Sequence, residues 1–264
     1  MKHLPGFAHR YGPWAIVAGA SEGLGAAFAE SLAQRGLSLV LLARRKKLLD
    51  ELSQKLSSTY SVEVKPYPLD LSDSHAIVQF LEEMKTLDIG LLVYNAAYTK
   101  IGNFVEQEME DLQRIVDVNI RGPIVMTHGL GPSLLERGRG GIIIMSSLAG
   151  FQGTPRIATY AASKAFGTVL AEGLWGELQE HGIDVLASCA GAIRTPNYQG
   201  SETGKEAPGT LDARDVAEQT LHTLGRNPQV VPGLFNKMAS WVMSRLLPRS
   251  LSIRIMKKNT ESLS

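Results

Sequence analysis

Tyr160 and Lys164 stand four residues apart in a stretch, 159–174, that reads as a helix, so both side chains project from one face. A free tyrosine titrates near about pH 10, and a neighbouring ammonium stabilises its phenolate, moving the phenol toward general acid or base work at neutral pH. Tyr and Lys at this spacing are also common as surface amphiphiles, so the pair gains meaning only from its context. That context includes Ser146-Ser147-Leu148-Ala149-Gly150, which closes an apolar strand-like run thirteen residues before Tyr160, and Asn119 in Asp117-Val118-Asn119.

A second constellation, Ala18-Gly19-Ala20-Ser21-Glu22-Gly23-Leu24-Gly25, follows the first strand-like run and opens an amphipathic helical pattern. In that setting small residues let the backbone approach a pyrophosphate, whose charge sits favourably at a helix N-terminus. A bare tight turn is the plainer alternative. Roughly twenty residues further on, where such folds read the adenine ribose, stands Ala43-Arg44-Arg45. A guanidinium favours a 2′-phosphate through charge-assisted contacts, whereas an acid would favour a free 2′-hydroxyl. The expected cofactor is therefore NADP(H) in preference to NAD(H), with Arg44 as the reader and Arg45 as an ordinary exposed arginine. Glu22 beside the turn argues mildly the other way.

These groups need a scaffold, and the chain supplies one. Seven β-rich runs, 15–18, 37–43, 62–69, 89–95, 141–146, 183–188 and 229–231, alternate with helical patterns such as Leu24, Phe28 and Leu32 or Leu48, Leu49 and Leu52. Several runs are apolar on both faces, as buried parallel strands are. The expectation is a single α/β domain over residues 1–264: a Rossmann-type, doubly wound parallel sheet of about seven strands with helices on both faces. Asp212 is placed to cap a helix carrying Ala213, Val216, Ala217, Thr220 and Leu221 and ending at Gly225. The stretch 196–210 is polar, rich in Gly and Pro and too long for an ordinary connector, hence a substrate lid or simple disorder.

Composition narrows the function classes. Of 264 residues, 44% are hydrophobic and 20% charged, which excludes disorder as the main state. A net charge of +1 gives no case for a polyanionic partner, so nucleic acid is not expected. Cys189 is the only cysteine and cannot form an intrachain disulfide, as in a reducing compartment. The six histidines lack zinc-site spacing, so no metal is expected. With neither a signal-peptide core at the N-terminus nor an apolar run of roughly 18 residues, the default location is the cytoplasm.

Taken in order, the G-x-x-x-G-x-G turn, Asp70-Leu71, Asn95-Ala96, Asn119, Ser147, the Y-x-x-x-K of Tyr160 and Lys164, and the G-x-x-x-T from Gly191 to Thr195 resemble the short-chain dehydrogenase/reductase superfamily over residues 14–231. The start, Tyr11-Gly12-Pro13-Trp14-Ala15, looks in particular like the branch containing 17β-hydroxysteroid dehydrogenases and very-long-chain 3-ketoacyl-CoA reductases. The resemblance implies an NADP(H)-dependent oxidoreductase that interconverts a ketone and a secondary alcohol on a hydrophobic acyl or steroid-like molecule. It implies that Tyr160 protonates the developing alkoxide, that Lys164 holds ribose hydroxyls and depresses the Tyr160 pKa, and that Ser147 polarises the carbonyl oxygen. Ser146 competes for that role, but strand alternation sends the two side chains to opposite faces and the family spacing selects Ser147. Asn119 would hold a water linking Lys164 to solvent; a helix-bending polar residue bonded to backbone is a compatible reading.

By the same resemblance the cofactor would meet Gly19, Ser21, Glu22, Gly23, Leu24 and Gly25 in the turn and Arg44 at its ribose. Asp70 and Leu71 would flank the adenine, and Asn95, Ala96 and Ala97 would lie near the ribose. Ile193 and Thr195 would meet the carboxamide, alongside Tyr160 and Lys164. A homodimer or homotetramer through the helices of Asn119 and Tyr160 is also implied. Three departures stand out: Ala18 for a usual Thr, Tyr94 and Ala97 at the ends of a usual Asn-Asn-Ala-Gly, and Ala190 for a usual Pro. Losing the Thr hydroxyl removes a bond toward Asn95 and loosens the central sheet by about 1 kcal/mol; losing the Pro frees the following loop.

Residues 234–264 form a basic amphipathic end. Leu234, Phe235, Met238, Trp241, Val242, Arg245 and Leu246 follow a helical stripe until Pro248, while Lys237, Arg245, Arg249, Arg254, Lys257 and Lys258 meet no acid before Glu261. Such a segment packs over the substrate cleft or a dimer edge, contacts a partner, or lies on an anionic membrane as a peripheral anchor. Met238, Trp241 and Met243 also suit an apolar pocket. A different class of function, an NADP(H)-binding regulatory or docking protein with vestigial catalysis, is disfavoured by the intact set of Asn119, Ser147, Tyr160 and Lys164.

Overall fold

The computed structural model describes residues 5–196 and 206–261. Its elements alternate along the chain: α1 (Pro5–Tyr11), β1 (Trp14–Ala18), α2 (Gly23–Gln34), β2 (Ser38–Ala43), α3 (Lys46–Tyr60), β3 (Val64–Pro68), α4 (Ser74–Glu83), β4 (Ile89–Tyr94), α5 (Met109–Val116) and α6 (Gly122–Arg137). Then follow β5 (Gly140–Ser147), α7 (Ala158–Leu178), β6 (Ile183–Ala190), β7 (Ile193–Arg194), β8 (Leu211–Asp212), α8 (Ala213–Thr223), β9 (Gln229–Val230), α9 (Leu234–Arg245) and α10 (Arg249–Glu261). Seven strands form one sheet in the order β3-β2-β1-β4-β5-β6-β9, parallel at every pairing. This is the expected doubly wound Rossmann-type α/β fold, with the order reversing between β1 and β4, where such sheets open a crevice for ligands.

Strand alternation splits the core in two. Ala15 and Val17 of β1 join Leu39, Leu41, Leu91 and Val93 under Phe28 and Leu32 of α2, while Ile16 and Ala18 join Val40, Leu42 and Leu92 over Ile77, Phe80 and Met126. Helices on both faces explain why these strands carry no polar alternation. β3 tolerates Pro66 and Pro68 because it is an edge strand, paired only with β2.

Several local expectations change. In α3 the buried face runs through Leu49, Ser53 and Leu56, with Leu48 and Leu52 only partly covered. Asp212 holds the N-cap position of α8 but makes no capping bond, because its carboxylate pairs with Arg194. The short ladder β7-β8, Ile193 against Leu211 and Arg194 against Asp212, has no sequence signal at two residues per strand. Most of the expected lid at 196–210 lies outside the described residues.

The missing Thr at position 18 does not part the sheet. Ala18 pairs in register with Tyr94, the Asn95 N–H donates to the Ala18 carbonyl at 3.0 Å, and Asn95 Nδ2 donates to the Gly19 carbonyl at 2.9 Å. Asn95 is thus held by backbone acceptors on the Ala18 side. Ala190, free of the proline constraint, extends β6 into register with Ser147.

The apolar stripe of α9 faces outward. Leu234 is 76% exposed, and Phe235, Met238, Trp241 and Leu246 are also largely open, while Asn236 is the buried residue of that helix. Met238 and Trp241 thus do not line an internal pocket. Among the described residues no helix is long and apolar enough to cross a membrane.

Candidate active site

At the β1–α2 turn Gly19 adopts φ +82°, and a Cβ there would come within 2.7 Å of the Ala96 Cα. A Cβ on Gly25 would overlap the Gly19 carbonyl oxygen, so this helix can dock against the turn only with glycine at that position. The turn borders a cavity of about 480 Å³, lined from the turn by Gly19, Ser21, Glu22, Gly23 and Leu24. Arg44, Asp70 and Leu71 line its middle, with Asn95, Ala96, Ala97 and Thr195 beyond them. Twelve of the cofactor residues expected from sequence thus meet around one cavity. Gly25 lies beneath the turn, Ile193 sits in the β7-β8 ladder, and Tyr160 and Lys164 stand outside the cavity lining.

Further residues join them. Arg45, expected to be an ordinary surface arginine, reaches back over the turn, with Nη2 3.0 Å from Ser21 Oγ and 2.6 Å from Glu22 Oε1. Arg114, Tyr98 and Val118 also line the cavity. Arg114 donates to Asp70 Oδ2 at 3.1 Å and stacks its guanidinium 5.3 Å from the Tyr98 ring centroid. Arg114 belongs to α5, Val118 to the turn after it and Tyr98 to the loop after β4, so no local spacing brings them together. Burial opposes the Asp70 carboxylate, but bonds from Ser72 and the charges of Arg114 and Arg44 outweigh it and hold the group below its usual range.

The reacting side chains come from three elements. Ser147 ends β5, its hydroxyl accepting from the Ala149 N–H at 3.2 Å. Ser146, one residue earlier, points elsewhere: its hydroxyl donates to the Lys164 carbonyl at 2.7 Å and meets Thr168 Oγ1, so the alternation holds. Tyr160 lies on α7; burial pushes its phenol above the ordinary value, and a hydrogen bond with the Ser147 side chain pulls it partly back. Lys164 is buried, its Nζ 5.5 Å from the Tyr160 ring centroid and donating to the Met145 carbonyl at 2.9 Å. Burial pulls the Lys164 ammonium down to about 8. The depression of the Tyr160 phenol expected from Lys164 is not seen: burial outweighs the Ser147 bond and the phenol is raised.

Asn119 sits in a π-helical turn, Asp117–Arg121, between α5 and α6. Its amide grips Tyr98 from both sides, accepting from the Tyr98 N–H at 2.8 Å and donating to the Tyr98 carbonyl at 2.9 Å, and also donates to Ser163 Oγ at 2.9 Å. Ser163 in turn donates to the Tyr160 carbonyl at 2.7 Å. Asn119 therefore acts on the loop after β4 and on α7 through direct bonds.

The model of the short chain dehydrogenase family matches residues 13–206. The chain belongs to that family. As a short-chain dehydrogenase it is an oxidoreductase acting on CH–OH and C=O groups, consistent with the hydroxyl-rich end of the site. It is 32% identical over 233 residues to a 7beta-hydroxysteroid dehydrogenase of Clostridium sardiniense, covering 88% of this chain and 89% of that protein. It is 30% identical over 260 residues to a very-long-chain 3-oxoacyl-CoA reductase of Anas platyrhynchos, covering 96% and 81%. These are the hydroxysteroid and ketoacyl branches to which Tyr11-Gly12-Pro13-Trp14-Ala15 pointed. A solved 7beta-hydroxysteroid dehydrogenase superposes with TM-score 0.90 at 27% identity, over 95% of this chain and 98% of that one. A short-chain dehydrogenase from Sphingobium yanoikuyae, solved in complex with NADPH, gives 0.75 at 29%, over 83% and 87%.

Proposed function

We propose that this short-chain dehydrogenase interconverts a ketone and a secondary alcohol of a hydrophobic, acyl or steroid-like substrate, with NADP(H) as its cofactor and the whole chain as one catalytic unit. The observation that carries the reading is the pairing of Ser147 with a half-buried Tyr160 beside Lys164, near a glycine-walled cavity edged by three arginines. The cavity fits a dinucleotide: a side chain at Gly19 would strike Ala96, and Glu22, at the α2 N-cap, sends its carboxylate to Arg45 without capping the helix.

Bound NADP(H) supplies or accepts the hydride. Everything else falls to the chain. Tyr160, kept protonated by burial, is set to donate its phenolic proton to the carbonyl oxygen as negative charge grows there. The Ser147 hydroxyl orients that oxygen. Lys164 holds ribose hydroxyls and keeps positive charge beside the phenol, and Asn119 fixes α7 and the Tyr98 loop. Ser21, Arg44 and Arg45 would hold a 2′-phosphate, with Asp70 and Leu71 beside the adenine. The relatives' names support the substrate class, being those of a hydroxysteroid dehydrogenase and a 3-oxoacyl-CoA reductase.

Self-association fits the apolar residues open on α5, α6 and α7, Met109, Ile124 and Val169 among them, with Val105 in the turn before α5. The outward face of α9 suits an anionic membrane: its apolar stripe has Arg245 within it, and no acidic residue occurs from 234 to 260. Co-sedimentation with phosphatidylglycerol vesicles but not phosphatidylcholine vesicles tests this contact. The activity is tested by following NADPH and NADH consumption against ketones, steroids and 3-ketoacyl thioesters, with Tyr160→Phe alongside. Turnover of a bulky ketone that depends on Tyr160 is expected, and Tyr160-independent turnover would overturn the assignment.

A further inference from the structure

The connection from Ser147 to Tyr160 is gripped from outside by the end of the chain. Arg249 Nη1 donates to the Phe151 carbonyl at 2.8 Å, and Arg156 Nη1 donates to the Thr260 carbonyl at 2.7 Å. The Thr260 hydroxyl lies 3.0 Å from the Pro155 carbonyl, sharing its single proton with the Met256 and Lys257 carbonyls of its own turn. Thr260 is only 3% exposed although it is four residues from the C-terminus, and Ser252 is fully buried, its hydroxyl bonded to the Met243 carbonyl. α10 is thus tied inward to the connection and sideways to α9.

Arg156 is where these restraints converge. It adopts φ +66°, a left-handed conformation uncommon in residues other than glycine, and here its surroundings hold it. Two kinds of contact do so. Its carbonyl accepts the Gly102 N–H at 2.9 Å, from the loop after β4, and its guanidinium reaches the end of α10. Two residues later α7 begins, and Tyr160 is the third residue of that helix. A cavity of about 410 Å³ beside it, lined in part by Gly150, Thr154, Pro155, Ala158, Ala161 and Arg249, leaves this stretch lightly packed on that side. Hydrogen bonds from Arg156 and Thr260 therefore add to the packing of the buried Gln152, Thr154 and Ala161 in fixing the entry into α7.

We propose that Arg156 is a positioning residue for Tyr160, held in its left-handed conformation by the clasp to Thr260, so that α10 belongs to the working active site. This rests on Tyr160 being the proton donor. The clasp sets where α7 starts and hence where the Tyr160 hydroxyl stands relative to Ser147. Its bonds among Arg156, Thr260, Pro155 and Gly102 involve no residue that lines the cofactor cavity, so cofactor binding and turnover separate.

The test uses the full chain carrying Arg156→Met, Arg156→Gly or Arg156→Lys. Arg156→Gly accepts the positive φ without the guanidinium, and Arg156→Lys keeps a cationic donor. Expected for Arg156→Met and Arg156→Gly is NADPH affinity within about twofold of wild type with ketone turnover down by about ten- to a hundredfold. Arg156→Lys recovers most of the loss, and backbone hydrogen exchange over residues 150–160 quickens in the first two variants only. Unchanged turnover and unchanged exchange in Arg156→Met overturn the proposal, as does joint loss of NADPH binding, which marks a general folding role. If the wild type reduces no ketone, the proposed activity fails by itself, and exchange over 150–160 alone decides for or against the clasp.

Discussion

The Tyr94 hydroxyl donates a 2.7 Å hydrogen bond to the Val118 carbonyl, one residue before Asn119. The ring is buried at the end of β4, and a Cβ on Gly122 would overlap that hydroxyl, so strand end and π-helical turn are fitted to each other. Tyr94→Phe leaves the Val118 carbonyl without this donor at a cost of about 1–3 kcal/mol. The expected outcome is a thermal midpoint lower by several degrees, read by calorimetry, with turnover reduced because Asn119 loses its footing. An unchanged midpoint would show that the bond is replaceable.

Tyr160→Phe keeps the ring and removes the proton. NADPH binding, followed by fluorescence titration, should persist, while kcat falls by about 10²–10⁴-fold, the usual range for a lost general acid.

Cofactor preference is balanced between Arg44, Arg45 and Glu22. Arg44→Asp should shift the kcat/KM ratio toward NADH by about ten- to a hundredfold. Glu22→Gln releases Arg45 from an ion pair whose arginine side chain is 52% exposed, and so screened. NADPH affinity should then rise about threefold to tenfold with NADH affinity unchanged. Equal gains for both cofactors would show that Glu22 opposes the shared pyrophosphate instead of the 2′-phosphate.

Lys164 gives a pH signature. Burial lowers it to about 8 from an ordinary value of 10.5, so between those values the unfolded chain binds more protons than the folded one. Stability from this group therefore increases as pH climbs through that window, and the full burial cost is present below it. The expected outcome is a thermal-stability gap between Lys164→Met and wild type that narrows from pH 8 toward pH 10. In the wild type, ketone reduction should fall above about pH 8 as the ammonium is lost.

All seven sheet strands were legible: the central ones because parallel strands buried on both faces leave unbroken runs such as Leu39 to Leu42, and the partly exposed edge strands β3 and β9 from β-rich runs between turn signals. The glycine turn was legible for the same reason that it works, since only glycine fits at Gly19 and Gly25. Less could be read where a side chain chooses among partners. Asp212 stands at a helix start but answers to Arg194, and Arg45 turns back to Ser21 and Glu22 instead of facing solvent. Nothing in the α9 periodicity says which way its stripe faces; the buried Asn236, bonded to the Gly209 and Pro232 carbonyls, decides it. The bonds of Arg114 to Asp70 and of Arg156 to Thr260 span 44 and 104 residues, beyond any motif's reach.

Arg194 holds Glu206 with two 2.7 Å bonds and also grips Asp212, so the chain leaves β7 and returns to β8 at anchors joined by one guanidinium. With Thr195 kept in the cavity lining, sequence changes between Pro196 and Glu206 then leave the sheet and the hydroxyl pair undisturbed. Selection for a new substrate could act on this exchangeable insert alone, leaving the hydride-handling machinery untouched.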